Sequence, residues 1–214
     1  MILVKPSYKI LYCHPIDLSF IEKIGRVCYK SEDKITSDSS EKFIKNILKN
    51  GHESVLEHSI ITVHFVIDRG VSHELVRHRL CAFSQESTRY CNYKGGVTFV
   101  IPPWFNEIMP GIYDNGLIET INNEERRWFE ACSATEYDYI KMINNEQSPQ
   151  QARSVLINSL KTEIVVSANF REWRHILKLR TSNKAHPQMQ EIMRPLLSEL
   201  QQTIPIIFEE VNYD

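Results

Sequence analysis

The 214-residue chain lacks several features that mark common classes of protein. Its seven glycines form neither a Gly-x-Gly-x-x-Gly fingerprint nor a Walker loop, so a Rossmann-type nucleotide site is unsupported. No apolar run approaches the ~20 residues that a membrane span needs. The first twelve residues alternate apolar and polar side chains, which predicts a strand and not a signal peptide. We therefore expect a protein of the cytoplasm, without a membrane partner.

Cysteine pairs and an excess of one charge are also missing. The five cysteines are scattered and contain no Cys-x-x-Cys pair, so we expect free thiols without zinc or redox chemistry. A net charge of −2 gives no overall attraction to nucleic acid. With 42% hydrophobic and 24% charged residues, the composition is that of a globular protein, and we expect one catalytic domain over residues 1–214.

Hydrophobic periodicity predicts strands and helices along the whole chain. The strands are expected over residues 1–12, 59–67, 97–101 and 162–168, and the helices over residues 16–29, 40–50, 117–145, 169–181 and 187–202. In the first helix Ile16, Phe20, Ile24 and Val27 recur at helical spacing, and we expect this stripe to face the core. Asp68-Arg69-Gly70 is typical of a turn, after which Ser72 is expected to cap a helix through residue 80.

The first basic cluster lies in residues 77–90. This segment contains the basic residues Arg77, His78, Arg79 and Arg89 and a single acidic residue, Glu86. Arginine presents a planar fork that binds phosphate oxygens in pairs, and each charge-assisted bond contributes ~1.5 to 3 kcal/mol. This cluster therefore predicts an anion site. On a helix, Arg77 and Arg79 would point in nearly opposite directions, which suits two anionic ligands.

The second basic cluster comprises Asn169, Arg171, Arg174, His175, Lys178 and Arg180. Four of its members fall on roughly one face of the expected helix 169–181. A solvated surface helix remains an alternative for such a face, particularly for Arg174 and Lys178, because most surface charges bind nothing.

The two clusters together resemble one enzyme family. Arg77-His78-Arg79, seven intervening residues and then Ser87, extended by Arg89-Tyr90, is similar to the signature of flavin-dependent thymidylate synthases. An upstream block (Gly51-His52, Ser54, Glu57-His58) and a downstream block (Arg153, Asn169, Arg171, Arg180, His186, Gln188) match the same family. The resemblance implies a mixed α+β fold with a central mixed sheet flanked by helices, and a homotetramer whose sites are shared between subunits.

The activity that this resemblance implies is reductive methylation of deoxyuridine monophosphate (dUMP) to dTMP. Methylenetetrahydrofolate would supply the methylene group, reduced FAD the hydride, and NADPH the electrons that re-reduce the flavin. Arg180 would be the catalytic residue, stabilising negative charge on the uracil ring, because arginine keeps its proton.

The resemblance also assigns ligands to individual residues. The residues expected to bind dUMP are Glu74, Arg77, Gln85, Glu86, Ser87, Arg89, Arg153 and Arg180. Those expected to bind FAD are Ser54, Arg77, His78, Arg79, Gln85, Asn169, Arg171, His175 and His186, and His52 is expected on the folate or NADPH side. Ser84-Gln85-Glu86 departs from the Asn-Glu of many members, which leaves open whether Gln85 or Glu86 takes the carboxylate's role.

Other interpretations of single residues and of the whole chain are weaker. The six-residue spacing of His52, His58 and His64 fits no zinc pattern, so we expect no metal. Cys81 and Ser87 have no evident partner base, which disfavours a nucleophile. A non-catalytic nucleotide- or RNA-binding protein, or a flavin-free phosphate-handling enzyme, would use the same arginines, but the clusters lack interleaved aromatics and a metal-carboxylate set.

Overall fold

The computed structural model describes residues 1–113 and 122–212, which form a mixed α+β fold as expected. The strands are β1 (Ile2–Val4), β2 (Ser7–His14), β3 (Ile60–Asp68), β4 (Ala82–Gln85), β5 (Thr98–Val100), β6 (Gly111–Ile112) and β7 (Lys161–Asn169). The α-helices are α1 (Leu18–Tyr29), α2 (Ser39–Lys49), α3 (Arg69–Leu75), α4 (Asn123–Asn144), α5 (Pro149–Ala152), α6 (Phe170–Arg180), α7 (Pro187–Thr203) and α8 (Pro205–Phe208). Short 3-10 helices cover Glu32–Lys34, Glu53–His58 and Arg153–Val155. Within the described segments, no helix has both the length and the apolar character that a membrane crossing requires.

The strands form two sheets. One has the order β5-β1-β6, with β1 parallel to β5 and antiparallel to β6, so it is a mixed sheet. The other has the order β2-β3-β7-β4. In β3 and β7 buried positions alternate with more exposed ones, as in strands that cover a core with one face.

The described residues separate into two compact units. The first unit comprises Met1–Ser7, Phe65–Arg77 and Ser84–Ile164, and the second comprises Tyr8–His64, His78–Phe83 and Val165–Asp214. The chain passes from one unit to the other within β3 and within β7. A single catalytic domain over residues 1–214 stays a prediction.

The first unit encloses a core between its three-stranded sheet and α4. Leu3, Phe99, Phe129 and Tyr139 are members of this core, and each is at least nine-tenths buried. The hydroxyl of Tyr139 accepts a hydrogen bond from the Tyr93 amide at 3.2 Å, which satisfies a polar group at the edge of the core.

Helix α6 is the central element of the second unit. Asn169 caps it by accepting a hydrogen bond from the Glu172 amide at 2.8 Å. Trp173 on its inner face is fully buried and donates to the Ile61 carbonyl at 2.9 Å. Both the expected range of this helix and the expected helix 187–202 are therefore confirmed, as are α2, β3, β5 and β7.

The expected core face of α1 is wrong. Ile16 precedes the helix, and Phe20 and Val27 are 39% and 52% exposed. The buried side instead carries Ile21 and Gly25, and a Cβ on Gly25 would lie 2.6 Å from the Phe43 ring on α2. The absence of a side chain at Gly25 lets the two helices approach, which apolar periodicity does not reveal.

The expected turn at residues 68–70 and the helix from Ser72 to residue 80 are also wrong. Asp68 accepts a hydrogen bond from the Val71 amide at 2.7 Å and thereby starts α3 at Arg69. Ser72 lies inside that helix and is buried. Because α3 ends at Leu75, Arg77-His78-Arg79 lies in a turn, and the opposite-faces argument for Arg77 and Arg79 does not apply.

The long helix expected over residues 117–145 is confirmed from Asn123 to Asn144. Asn122 caps it by accepting hydrogen bonds from the Glu124 and Glu125 amides, at 3.0 Å each. Residues 117–121 of the expected range lie outside the described residues.

Candidate functional site

The residues expected for the two ligands divide largely by unit. The first unit contains all the residues expected for dUMP except Arg180, namely Glu74, Arg77, Gln85, Glu86, Ser87, Arg89 and Arg153. The second unit contains Arg180, His52 and most of those expected for FAD, namely Ser54, His78, Arg79, Asn169, Arg171, His175 and His186.

In the first unit, Glu86 is held by three donors. Its Oε1 accepts from the Tyr93 hydroxyl at 2.8 Å, and its Oε2 accepts from Lys161 Nζ at 3.1 Å and from the Glu163 amide at 3.2 Å. Burial, with the Glu86 bond, raises the pKa of Tyr93. Burial alone would lower the pKa of Lys161, but its bonds to Glu163 and Glu86 outweigh this and raise it. Glu86 thus joins the segment after β4 to β7.

Gln85 is fixed by two hydroxyl groups. Its Nε2 donates to Ser72 Oγ at 2.9 Å and to Thr162 Oγ1 at 3.2 Å. Because these bonds use the amide nitrogen, the orientation of the side chain places Oε1 as its acceptor end.

A cavity of about 460 Å³ in the first unit brings two arginines together. Arg153, expected from the sequence, donates from Nη1 to Thr88 Oγ1 at 3.4 Å. Arg69, which sequence reasoning missed as a site residue, donates to the Glu86 carbonyl at 3.3 Å and also lines the cavity, as does His73. Two guanidinium groups at one cavity suit a phosphate. Arg69 lies only eight residues before Arg77 in the sequence, and it was not considered a site residue because residues 68–70 were expected to form a turn.

Arg77 and Arg89 are exposed at the surface of the first unit. Arg89 Cζ lies 5.1 Å from the centre of the Tyr90 ring, and the Arg89 amide donates to Ser87 Oγ at 3.3 Å. In residues 1–113 and 122–212, no carboxylate forms an ion pair with Arg77. Arg77 therefore keeps its charge available to a ligand.

In the second unit, two arginines of α6 pair with carboxylates of the 3-10 helix Glu53–His58. Arg171 donates from Nη1 to Glu57 Oε1 at 2.6 Å, and Arg174 donates from Nη2 to Glu53 Oε1 at 3.1 Å. Arg174 also donates to the Ile207 carbonyl, and its side chain is only 14% exposed. Arg174 therefore has a structural role. The side chain of Arg171 is half exposed and is accessible to a ligand.

A cleft of about 880 Å³ lies beside this face of α6. Its lining carries the cations Arg171, Arg174 and Lys178, the apolar side chains Leu80 and Val211, and four carboxylates, of which Glu53 and Glu57 pair with the two arginines. Asn169, at the helix N-terminus, also lines it. A ligand with both a phosphate and a ring would find cations and apolar side chains here, with its phosphate replacing a carboxylate at an arginine.

His78, Glu172 and Arg180 form a chain of polar contacts in the second unit. His78 is 6% exposed, and its Nε2 accepts a hydrogen bond from Arg180 Nε at 3.0 Å. Its Nδ1 lies 3.6 Å from Glu172 Oε1, and its ring packs edge-on against that of His175 at 5.8 Å. Burial, the charge of Arg180 and His175 lower the pKa of His78 to about 4. The imidazole is therefore neutral at pH 7.

The remaining expected residues have local roles in the second unit. His186 caps α7, and its Nδ1 accepts from the Gln188 amide at 3.3 Å. His52 Nδ1 lies 2.8 Å from the Tyr29 hydroxyl. Ser54 and Arg79 are exposed, and Arg79 forms no ion pair with a carboxylate of the described segments.

The structure also bears on the nucleophile and metal alternatives. Burial, followed by the charge of Glu172, raises the pKa of Cys81 to about 12, so its thiol stays protonated at neutral pH and is a poor nucleophile. Among the described residues, potential metal ligands gather at His78, Glu172 and His175, with one ligand atom of each within 4.8 Å of the others, and not at the three histidines considered from the sequence.

Comparison with known proteins places this geometry in a family. Residues 10–206 match the family model described as thymidylate synthase complementing protein. A flavin-dependent thymidylate synthase of Corynebacterium efficiens is 32% identical over 208 residues, covering 92% of this chain and 80% of the relative. One of Mycobacterium tuberculosis is 30% identical over 204 residues, covering 90% and 78%.

Solved structures show the same fold. The UMP/dUMP methylase PolB from Streptomyces cacaoi, bound with 5-Br dUMP, superposes with a TM-score of 0.78 at 20% identity, covering 98% of this chain and 96% of that one. Thymidylate synthase X from Helicobacter pylori, with FAD and dUMP, superposes with a TM-score of 0.77 at 22% identity, covering 96% and 98%. With nearly its whole length matched by one family model and by relatives of at least 30% identity, the chain belongs to the flavin-dependent thymidylate synthase family.

Proposed function

We propose that the protein catalyses the reductive methylation of dUMP to dTMP. The methylene group comes from methylenetetrahydrofolate, and the hydride comes from FAD that NADPH reduces. The observation that carries the proposal is the family match over residues 10–206, which includes the complete signature from Arg77 to Ser87.

The residues proposed for dUMP are Glu74, Arg77, Gln85, Glu86, Ser87, Arg89, Arg153 and Arg180. The cavity shared by Arg153 and Arg69 supports a phosphate site in the first unit, because paired guanidinium groups bind phosphate oxygens in a fixed geometry. Between the two candidates for the carboxylate's role, the contacts favour Gln85 as the residue that touches the nucleotide. Both oxygens of Glu86 already accept hydrogen bonds from Tyr93, Lys161 and the Glu163 amide.

The residues proposed for FAD are Ser54, Arg77, His78, Arg79, Gln85, Asn169, Arg171, His175 and His186. The cleft of the second unit supports this assignment, because exposed Arg171 and Lys178 line it together with apolar Leu80 and Val211. Arg171 is able to turn to a phosphate, since an ion pair as exposed as that with Glu57 is worth only ~0 to 1 kcal/mol. Bound FAD would supply the hydride that converts the methylene group to a methyl group.

Arg180 is the proposed catalytic residue. Its guanidinium stays charged at any physiological pH and would stabilise the negative charge that develops on the uracil ring. The neutral His78 ring accepts its Nε–H, which fixes the plane of the guanidinium without neutralising its charge.

We also propose that the enzyme works in the cytoplasm as a homotetramer with shared sites, with His52 on the side of the folate or NADPH. The exposed apolar side chains of α1, among them Phe20 and Val27, support an assembly that would cover them.

The experiment that tests the function starts from an absorption spectrum of the purified protein. We expect a flavin spectrum, bleaching by NADPH without oxygen, faster bleaching when dUMP is present, and thymidylate when methylenetetrahydrofolate is added. A colourless protein that does not take up added FAD would contradict the proposal. A flavoprotein that is bleached but forms no thymidylate would limit the activity to NADPH oxidation.

A further inference from the structure

The contact chain from Glu172 through His78 to Arg180 gives His78 one defined tautomer. Arginine has only donors, so the Nε2 that faces Arg180 Nε at 3.0 Å must present a lone pair. A neutral imidazole carries its single proton on the other nitrogen, which is Nδ1. This Nδ1–H faces Glu172 Oε1 at 3.6 Å, close enough for electrostatic attraction and longer than a normal hydrogen bond.

The same tautomer argues against a metal ion at His78, Glu172 and His175, although these residues bring three potential ligand atoms together. A metal bound at Nδ1 would require that nitrogen to be deprotonated. The proton of the neutral ring would then lie on Nε2 and oppose the Nε–H of Arg180. A cation would also lie near a guanidinium that cannot lose its charge.

We propose that Glu172 is a positioning residue for Arg180: its carboxylate attracts the proton of His78 to Nδ1 and so adds to the Arg180 Nε–H in favouring the tautomer whose Nε2 accepts that hydrogen bond. This inference rests on the proposed function, in which Arg180 is catalytic. The arrangement is analogous to a Ser-His-Asp triad, in which a carboxylate orients a histidine. Here the histidine accepts a hydrogen bond from a guanidinium where the triad has a hydroxyl group.

The surroundings of Glu172 suit this role. The carboxylate belongs to a residue that is 8% exposed, and its backbone amide is fixed by Asn169 at the first turn of α6. Burial raises the pKa of Glu172, and the charge of His175 opposes this. The titratable groups that act on it besides His78 are His175 and the protonated thiol of Cys81. Sequence reasoning missed Glu172 because it lies among arginines on the basic face, although it is three residues before His175 and so shares one side of the helix.

The first test is kinetic. Glu172→Ala should lower kcat for thymidylate formation roughly tenfold to hundredfold, because a small misplacement of a catalytic group costs up to ~10²-fold. The KM for dUMP should change little, and FAD should stay bound. Glu172→Gln keeps an acceptor oxygen and should lose less activity than Glu172→Ala. The control is Glu199→Gln, which removes another carboxylate of the second unit, one that accepts from the Tyr8 hydroxyl at 2.8 Å, and should leave kcat unchanged.

A double variant separates positioning from general damage. Arg180→Lys lacks the Nε–H that His78 accepts, so Glu172→Ala should cost nothing further in that background. If the two losses multiply, Glu172 does not act through Arg180 and the inference is overturned.

The tautomer itself is measurable without any activity. NMR of protein labelled with ¹⁵N in its histidine rings should show His78 protonated at Nδ1 in the wild type and a mixture of tautomers in Glu172→Ala. An Nε2-protonated ring in the wild type, or stoichiometric metal that is lost with His175→Ala, would overturn the inference. If the wild type forms no thymidylate, the proposed function fails while the NMR result still decides whether Glu172 sets the tautomer.

Discussion

Replacing Arg180 by lysine preserves the positive charge and removes the planar fork. Lysine has no counterpart of Nε–H, so the hydrogen bond to His78 Nε2 at 3.0 Å is lost. A lysine ammonium is a point charge on a flexible stem, so in the proposed catalytic role its position relative to the uracil ring would no longer be fixed by the buried imidazole.

The structure sets the size of the effect. A hydrogen bond from a charged donor contributes ~1.5 to 3 kcal/mol, and each 1.36 kcal/mol of barrier is tenfold in rate. If the bond serves to place the charge in the transition state, Arg180→Lys should lower kcat by about 13-fold to 160-fold. Arg180→Ala, which also removes the charge, should abolish thymidylate formation and still retain bound FAD.

The assay is the initial rate of thymidylate formation at saturating dUMP, with flavin absorbance as a check on cofactor content. Arg127→Lys, an exposed substitution on α4, serves as the matched control and should behave as the wild type. A rate for Arg180→Lys within twofold of the wild type would refute the idea that His78 positions a catalytic guanidinium. Loss of the flavin from Arg180→Ala would show that the residue binds FAD and that its assigned role is wrong.

Three further predictions concern single residues. Because the pKa of Cys81 is raised to about 12, Cys81→Ala should keep kcat within about twofold, and iodoacetamide at pH 7.5 should leave the wild-type thiol unmodified; a hundredfold loss would restore the nucleophile hypothesis. The lowered pKa of His78, about 4 against 6.5 when unfolded, contributes stability that is complete above pH 6.5 and is lost as the pH falls toward 4. Between pH 7 and pH 4, the free energy of unfolding in urea should therefore fall by about 3 kcal/mol more in the wild type than in His78→Gln, which has no titrating ring at this position. An equal fall in both proteins would contradict a buried neutral ring. Asn169→Ala removes the cap of α6 and should lower the free energy of unfolding by ~1 kcal/mol in urea, whereas no change would mean that the helix start is held by other contacts.

Two helices that sequence reasoning predicted well, α6 and α7, combine an apolar-periodic stretch with a residue that favours a helix start. Asn169 before an apolar-periodic stretch gave the start of α6, and Pro187 at the first turn gave that of α7. Local chemistry fixes these boundaries, so no knowledge of the tertiary structure is needed.

The wrong predictions concern a segment whose sequence is compatible with two local structures and a helix whose buried face is determined by packing. Asp68-Arg69-Gly70 satisfies both a turn and a helix cap, and the hydrogen bond from Val71 to Asp68 selects the cap. In α1 the apolar stripe predicted one face, but the small Gly25 selects the other face for close packing on Phe43.

For the candidate site, the sequence predicts a set of residues but not how their side chains pair. The family resemblance, through the signature and the downstream block, implies that Arg77, Arg153 and Arg180 belong to one function, but a sequence does not show which arginine meets a carboxylate. The engagement of Glu86 by Lys161 joins residues far apart in the chain, and so does the contact of His78 with Glu172.

The pairing of Arg171 and Arg174 with Glu57 and Glu53 has a consequence for how ligands bind to the cleft. In the proposed FAD site, a phosphate oxygen that binds Arg171 would replace the carboxylate of Glu57, whereas Arg79 has no ion pair to give up within the described segments. Because added salt screens the competing Arg171–Glu57 pair as well as the contact with a phosphate, ionic strength should weaken FAD binding at the proposed site less than the number of cations around the cleft would suggest. The two glutamates also keep the basic face of α6 close to neutral before the cofactor arrives, so they disfavour other polyanions that approach it without a ring to fill the apolar part of the cleft.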